Sequence, residues 1–296
     1  MDYNFFLARI ISGLAYGSIY GFFALSMVVL FRSNRLFNIA LTEIATLVVI
    51  TMFFLLRKVS YALGISSVLV GAGLLGLFLH FSIMRVITSR RNSMHSNELI
   101  VTIGLFSIFN SLSAYIFGDE PERFPAPFGN KLVSIFSVQA GIHSILIFVV
   151  GCLLALLIHC FFNFSKIGIT LEAISENATA ARLRGINVSN YLSIAWALTV
   201  ILASLGGILV APLMFVSPSM LVYVFSYSLI AVAIGGLEST FGALLSGLLI
   251  GVTESLASMT PFVGSELKLA AVFALLIAVL IIRPRGIWGR KEQRRV

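Results

Sequence analysis

Apolar residues run along most of this chain in stretches of about 18 to 25, and polar residues gather in the short segments between them. A stretch of that length, coiled as helix, crosses roughly 30 Å of hydrocarbon. The pattern predicts spans near residues 10–31, 36–56, 61–83, 99–117, 142–164, 191–214, 221–236, 240–258 and 268–282. The second span and the seventh-to-eighth region contain interruptions, so the expected fold is all-α, a polytopic transmembrane bundle of eight to ten spans with broken helices.

The charges between the spans predict an orientation. The segment 84–98 carries Arg85, Arg90 and Arg91, whereas 118–131 carries Asp119, Glu120 and Glu122 against Arg123 and Lys131. Basic loops stay on the cytoplasmic side. Counting from those two segments places 165–190 and the basic tail 283–296 in the cytoplasm and the N-terminus outside. Arg57 and Lys58 then fall outside, against the rule. The outer segment 118–141 holds Pro121, Pro125, Pro127 and Gly129, a loop with turns followed by a short apolar stretch at 133–138.

Composition closes off other classes. The 296-residue chain is 59% hydrophobic and 11% charged, too few charges to cover a soluble domain. A net charge of +8 would raise nucleic acid for a soluble protein. Here the cations are topology signals, including Arg283, Arg285, Arg290, Lys291, Arg294 and Arg295 in the tail, and no nucleic-acid partner is expected. The first ten residues lack a signal peptide's basic start, and the run 10–31 is too long for one, so it is expected to remain as the first span. Cys152 and Cys160, eight positions apart in one apolar run, would lie about 12 Å apart on a helix and cannot bridge. His80, His95, His143 and His159 have no i, i+4 partner for a metal. No GxxxxGK[ST] occurs, so any ATP is handled by another subunit, and no cofactor is expected.

Several residues stand out inside the spans. Gly13, Gly17 and Gly21 form one stripe on a helix, which serves either close helix packing or a narrow path. Gly247 and Gly251 form a similar pair, while Gly235 and Gly236 break the preceding span, as transporters tolerate where backbone lines a cavity. Glu43 follows Asn38 and Thr42 in an otherwise apolar segment, and Glu254 lies in GLLIGVTESLASM. A carboxylate at mid-span costs about 2.5 to 3.5 kcal/mol and should face a bundle interior or wet cavity. The alternative is an interfacial helix end. Asn110, with Thr102 and Ser107 on the same span, is a further polar candidate for a solute path.

The segment 165–190 is longer than a connector needs. Asn177 can cap a short helix over 178–184, Gly185 suits its C′ position, and Arg182 and Arg184 complement the helix dipole. Two turns of helix are unstable alone in water, so either a partner surface holds them or the segment is a solvated connector.

The run Thr179-Ala180-Ala181-Arg182-Leu183-Arg184-Gly185 resembles the EAAxxxG loop of ATP-binding cassette (ABC) importer permeases, with Thr179 in place of the Glu. The resemblance then narrows. GLAYGSIYGFFALSMVVLF at 13–31, FNIALTE at 37–43, RLRGINVSN at 182–190, IGGLESTFGALLSGLLIGVTESL at 234–256 and FALLIAVLIIRPRGIWGR at 273–290 are similar, in order and spacing, to the branched-chain amino acid permease family. Ala40-Leu41-Thr42 stands where that family has Ala-His-Gly, which points either to a changed solute or to a signature that serves helix packing.

The resemblance implies a single permease domain over 1–296 in a bacterial inner membrane. It implies a second permease subunit, homologous or identical, ABC ATPase subunits and a periplasmic solute-binding protein. Ala180, Ala181, Arg182, Arg184 and Gly185 would engage the ATPase, and Asn38, Thr42, Glu43, Asn110 and Glu254 would lie on the path of a small polar solute. The chain itself would be no enzyme. The rivals are a transporter or channel driven by an ion gradient through Glu43 or Glu254, and a membrane scaffold or sensor.

Overall fold

A computed structural model of the chain describes residues 3–88, 95–118, 120–127, 129, 132–135, 138–259, 264 and 267–289. The basic residues Arg90, Arg91, Lys131, Arg290, Lys291, Arg294 and Arg295, together with Asp119, lie outside the described residues. Each expected apolar stretch is a helix. The long ones are α1 (Tyr3–Asn34), α3 (Tyr61–Leu79), α5 (His95–Phe117), α6 (Ile142–Phe164), α9 (Val188–Val210) and α11 (Thr240–Ala257), and α2 (Leu41–Leu55), α10 (Val222–Gly235) and α12 (Lys268–Ile282) are shorter. Among the described residues, six helical stretches are long and apolar enough to cross a membrane. Helix is the local answer in lipid because each backbone N–H and C=O finds its partner within the same segment.

A π turn (His80–Met84) and α4 (Arg85–Thr88) extend α3, and α7 (Lys166–Glu176) and α8 (Ala178–Leu183) fill the loop between α6 and α9. Strands are few: β1 (Glu122–Arg123), β2 (Leu132–Ile135), β3 (Val138–Gly141) and β4 (Phe215–Val216). β2 and β3 form an antiparallel hairpin with Leu132 opposite Gly141, and β1 pairs antiparallel with β4. The second span begins at Leu41 and not near residue 36. Arg35 takes a left-handed conformation (φ 54°) at the end of α1, and the Asn38 side chain accepts the Ala40 amide at 3.0 Å, a turn that delays the helix.

The chain divides into two compact units, and α1 passes from the first into the second at Val29. The first holds Met1–Val28, Phe128–His159 and Val224–Val296. Its central seam joins α1 to α11. A methyl group at Gly17 would meet the Leu248 Cα at 2.7 Å, and one at Gly251 would run into the backbone of Gly13 and Gly17. Such close approach is how helices bind one another where lipid is as apolar as leucine.

At the break between α10 and α11, Gly236 has φ 95°, and Ser239 Oγ accepts the Gly242 amide at 2.9 Å to cap α11. The freed carbonyls of Ile234 and Gly235 accept from the amides of Ile287 (2.7 Å) and Trp288 (3.3 Å). The segment after α12 thus closes the end of α10 with its own backbone.

The second unit holds Val29–Pro127 and Cys160–Tyr223. Helix α9 is its centre: 67% of its most apolar window is buried, against 33% for α3 and 22% for α5. It packs on α2 and α3, with Gly76 placed so that a side chain would strike the Ala197 backbone, while α5 covers α2. At one end of this unit Arg57 pairs with Glu122 at 3.3 Å and β1 meets β4. At the other, the ends of α1 and α3 and the start of α5 gather with α7 and α8.

Candidate functional site

Three clusters carry the polar chemistry. In the second unit Glu43 lies in the first turn of α2 and is fully buried. A carboxylate there is favoured by the helix dipole. Its Oε2 accepts from Asn110 Nδ2 of α5 at 3.0 Å, while Oε1 has no protein partner. Thr42 Oγ1 and Asn38 Nδ2 are likewise buried without a partner. The structure therefore brings Glu43 and Asn110 into contact and leaves Asn38 and Thr42, just before Glu43 in the chain, with hydrogen-bonding capacity in hand.

Buried polar groups on the neighbouring helices add to this. Ser113 sits three positions after Asn110 on α5, and Trp196, Thr199 and Ser204 lie on α9; each is buried with a polar side-chain atom that finds no partner. The i, i+3 spacing of Asn110 and Ser113 was a readable signal. The α9 residues gave none, because a Trp, a Thr and a Ser in an apolar helix mostly serve packing. Thr102 and Ser107 differ: their hydroxyls bond to carbonyls of their own helix, at Leu99 and Ile103.

Glu254, on α11 in the first unit, has the opposite character. Tyr20 of α1 donates to its Oε2 at 2.6 Å, and Lys268 of α12 pairs with its Oε1 at 2.8 Å. The Tyr20 ring stacks on Tyr227 of α10 with centroids 4.7 Å apart. One carboxylate thus ties α1, α11 and α12, and both its oxygens are engaged. Sequence reasoning grouped Glu254 with Glu43, but the structure sets it in a separate cluster whose members Tyr20, Tyr227 and Lys268 had not been singled out.

The third cluster is α8. Asn177 Oδ1 accepts the Ala180 amide at 2.9 Å at the N-terminus. At the C-terminus Gly185 (φ 79°) donates to Arg182 O at 2.9 Å and Ile186 donates to Ala181 O at 3.2 Å. That pair of bonds is a Schellman motif, which needs a left-handed residue where glycine stands. Ala181 is buried beneath the helix, while Ala180, Arg184, Gly185 and Leu183 (86% exposed) face outward, and Arg182, also exposed, borders the same cavity as Asn34, His80 and Glu98.

The base under α8 is firm. Ser165 caps α7 by accepting the Gly168 amide at 2.9 Å. Arg32, at the end of α1, is nearly buried, bonds Glu172 of α7 at 3.1 Å and lies 4.4 Å from the centre of the Phe162 ring. Among the described residues no three His, Cys, Asp or Glu side chains converge to hold a metal ion.

The sequence of this chain is matched by those of known proteins over nearly its whole length. The family described as "Branched-chain amino acid transport system / permease component" matches residues 9–281. The chain is 26% identical to the "High-affinity branched-chain amino acid transport system permease protein LivH" of Salmonella typhimurium strain LT2, over 100% of this chain and 99% of that protein. It is 27% identical to the LivH of Escherichia coli strain K12 over the same shares, and 27% identical to BraD of Pseudomonas aeruginosa over 98% of each. Among solved structures, "PsaBC from Streptococcus pneumoniae in complex with Fab" is similar with a TM-score of 0.44 at 16% identity, over 95% of this chain and 91% of that one. With its spans, its broken helices and its full-length match, the chain belongs to the permease-component family of branched-chain amino acid transport systems.

Proposed function

We propose that the chain is the membrane permease subunit of an ABC importer for branched-chain amino acids or similar small polar solutes. The observation that carries this is α8: a capped two-turn helix with a firm base that turns Leu183 and Arg184 outward. An exposed leucine flanked by arginines, on a helix too short to persist alone, fits a groove in a partner protein. In this reading the end of the second unit that carries 165–190 faces the cytoplasm together with the C-terminus, and the end with the Arg57–Glu122 pair faces outward. That pairing gives Arg57, one of the two residues at odds with the positive-inside rule, an acidic partner on its own side.

The work divides among subunits. An ATPase dimer engages the exposed face of α8 at Ala180, Leu183, Arg184 and Gly185, with Ala181 buried beneath it, a solute-binding protein delivers from outside, and a second permease subunit completes the path. ATP hydrolysis resides in the ATPases, and no bond of the solute changes. Along the path, Glu43 Oε1 would accept from the solute's ammonium group, with Asn38, Thr42 and Asn110 beside it. Gentle purification from the native membrane tests the reading: an ATPase should accompany the chain, and Leu183→Asp should abolish both its retention and ATP-dependent uptake. Uptake that persists in that variant and collapses when the proton gradient is dissipated would instead favour a gradient-driven transporter working through Glu43.

A further inference from the structure

The end of the second unit that carries α8 contains a cavity of about 430 Å³, within the roughly 300 to 1,000 Å³ of small-molecule sites. Its wall comes from Asn34 at the end of α1, the π turn and α4 that extend α3, the start of α5, α8 and the start of α9. The α3 contribution is the π turn at His80–Met84, a distortion that recurs at functional sites. His80 is 2% exposed, and neither its Nδ1 nor the buried Ser189 Oγ has a hydrogen-bond partner, although both residues line the cavity.

The lining is chemically mixed in an instructive way. Arg85 and Arg182 supply cations, Glu98 an anion, and Ile186, Val188 and Leu192 an aliphatic wall. An anion alone would meet the Glu98 charge, and an amine alone would meet two guanidinium groups. A zwitterion with an aliphatic side chain satisfies all three: carboxylate to the arginines, ammonium to Glu98, side chain to the apolar wall. Arginine has five N–H donors and a carboxylate about four acceptor sites, so bonds they already hold leave capacity for a ligand.

We infer that this cavity is a second amino-acid site, separate from Glu43, which takes a free aliphatic α-amino acid at the base of α8. The inference rests on the reading of the chain as an amino-acid permease. Because Ala178 and Arg182 belong to α8, occupancy of the cavity would bind that helix to α3, α5 and α9 and so report solute level to the element that meets the ATPase.

The test places a reporter in the wall. In full-length chain with Cys152→Ser and Cys160→Ser, a thiol at the exposed wall position Asn187, introduced as Asn187→Cys, is labelled with N-ethylmaleimide in the presence of leucine. At ten times its dissociation constant leucine should slow labelling about tenfold, by mass action. Glu98→Gln should remove that protection and Glu43→Gln should keep it. Unchanged labelling with leucine overturns the site. Equal protection by acetate also overturns it, leaving only an anion pocket, and so does loss of protection in Glu43→Gln, which would place the ligand elsewhere. Should Asn187→Cys fold poorly, Ala178→Cys reports from the same wall. Leucine uptake by the complete complex is read separately: uptake without protection removes the second site and keeps the permease, whereas protection without uptake keeps the site and removes leucine as cargo.

Discussion

Two buried carboxylates, one in each unit, were alike in the sequence and are unlike in the structure. Glu254 holds a tyrosine with one oxygen and a lysine with the other. Glu43 holds one asparagine and keeps an oxygen unpartnered. A carboxylate with both oxygens engaged by protein is a fastening. One that is half-engaged and fully buried retains the capacity to bind something else, and in the proposed reading the first unit's polar cluster holds helices together while the second unit's serves a solute.

Variants can break that division, and on stability they rank from the first unit to the second. Gly251→Val should do the most damage, because the added side chain meets the backbone of Gly13 and Gly17, which cannot swing aside. Overpacking of this kind costs about 1 to 3 kcal/mol or more, and the melting temperature in detergent should fall accordingly. Glu254→Leu should come next. It strips a charge-assisted bond from Tyr20 and the ion pair from Lys268, and partly exposed Lys268 (42%) softens the loss to about 1 to 3 kcal/mol. Uptake per folded molecule should stay near normal. If it vanishes while stability holds, the fastening reading is wrong.

Glu43→Gln reverses the pattern. It keeps the shape and a bond to Asn110, so stability should move by less than about 1 kcal/mol, as for one exchanged hydrogen bond. Uptake of a zwitterionic solute should drop more than about tenfold, the factor that 1.4 kcal/mol represents. Leu183→Asp should leave the melting temperature unchanged, since the side chain is 86% exposed, yet abolish ATPase retention. A destabilised Leu183→Asp variant would mean that α8 packs within its own chain.

Much of the helical framework was legible because its causes are local. Apolar runs of spanning length, Asn177 ahead of an alanine run and Gly185 behind it, and the Gly235-Gly236 break each act within a few residues. The start of α2 was read too early because Asn38 bonds the Ala40 amide, a turn that competes with helix over only two residues. Glu254's partner Tyr20 is 234 positions away, and nothing in hydropathy links them. The segment at 283–289 was visible only as a motif, yet its amides close the end of α10.

By itself the sequence determined that this protein lives in a membrane as a helical bundle, which stretches form its helices, and that α8 is a capped helix in a polar loop. Those follow from the hydrophobic thickness of lipid and from backbone hydrogen bonds that close within a turn or two. Only the tertiary structure decided that the glycines of α1 lie against those of α11, that Glu254 is fully bonded and Glu43 is not, and that a charged cavity lies beneath α8. Those depend on which helix faces meet, and the many apolar faces of a membrane helix offer little chemical difference by which the sequence could choose among them.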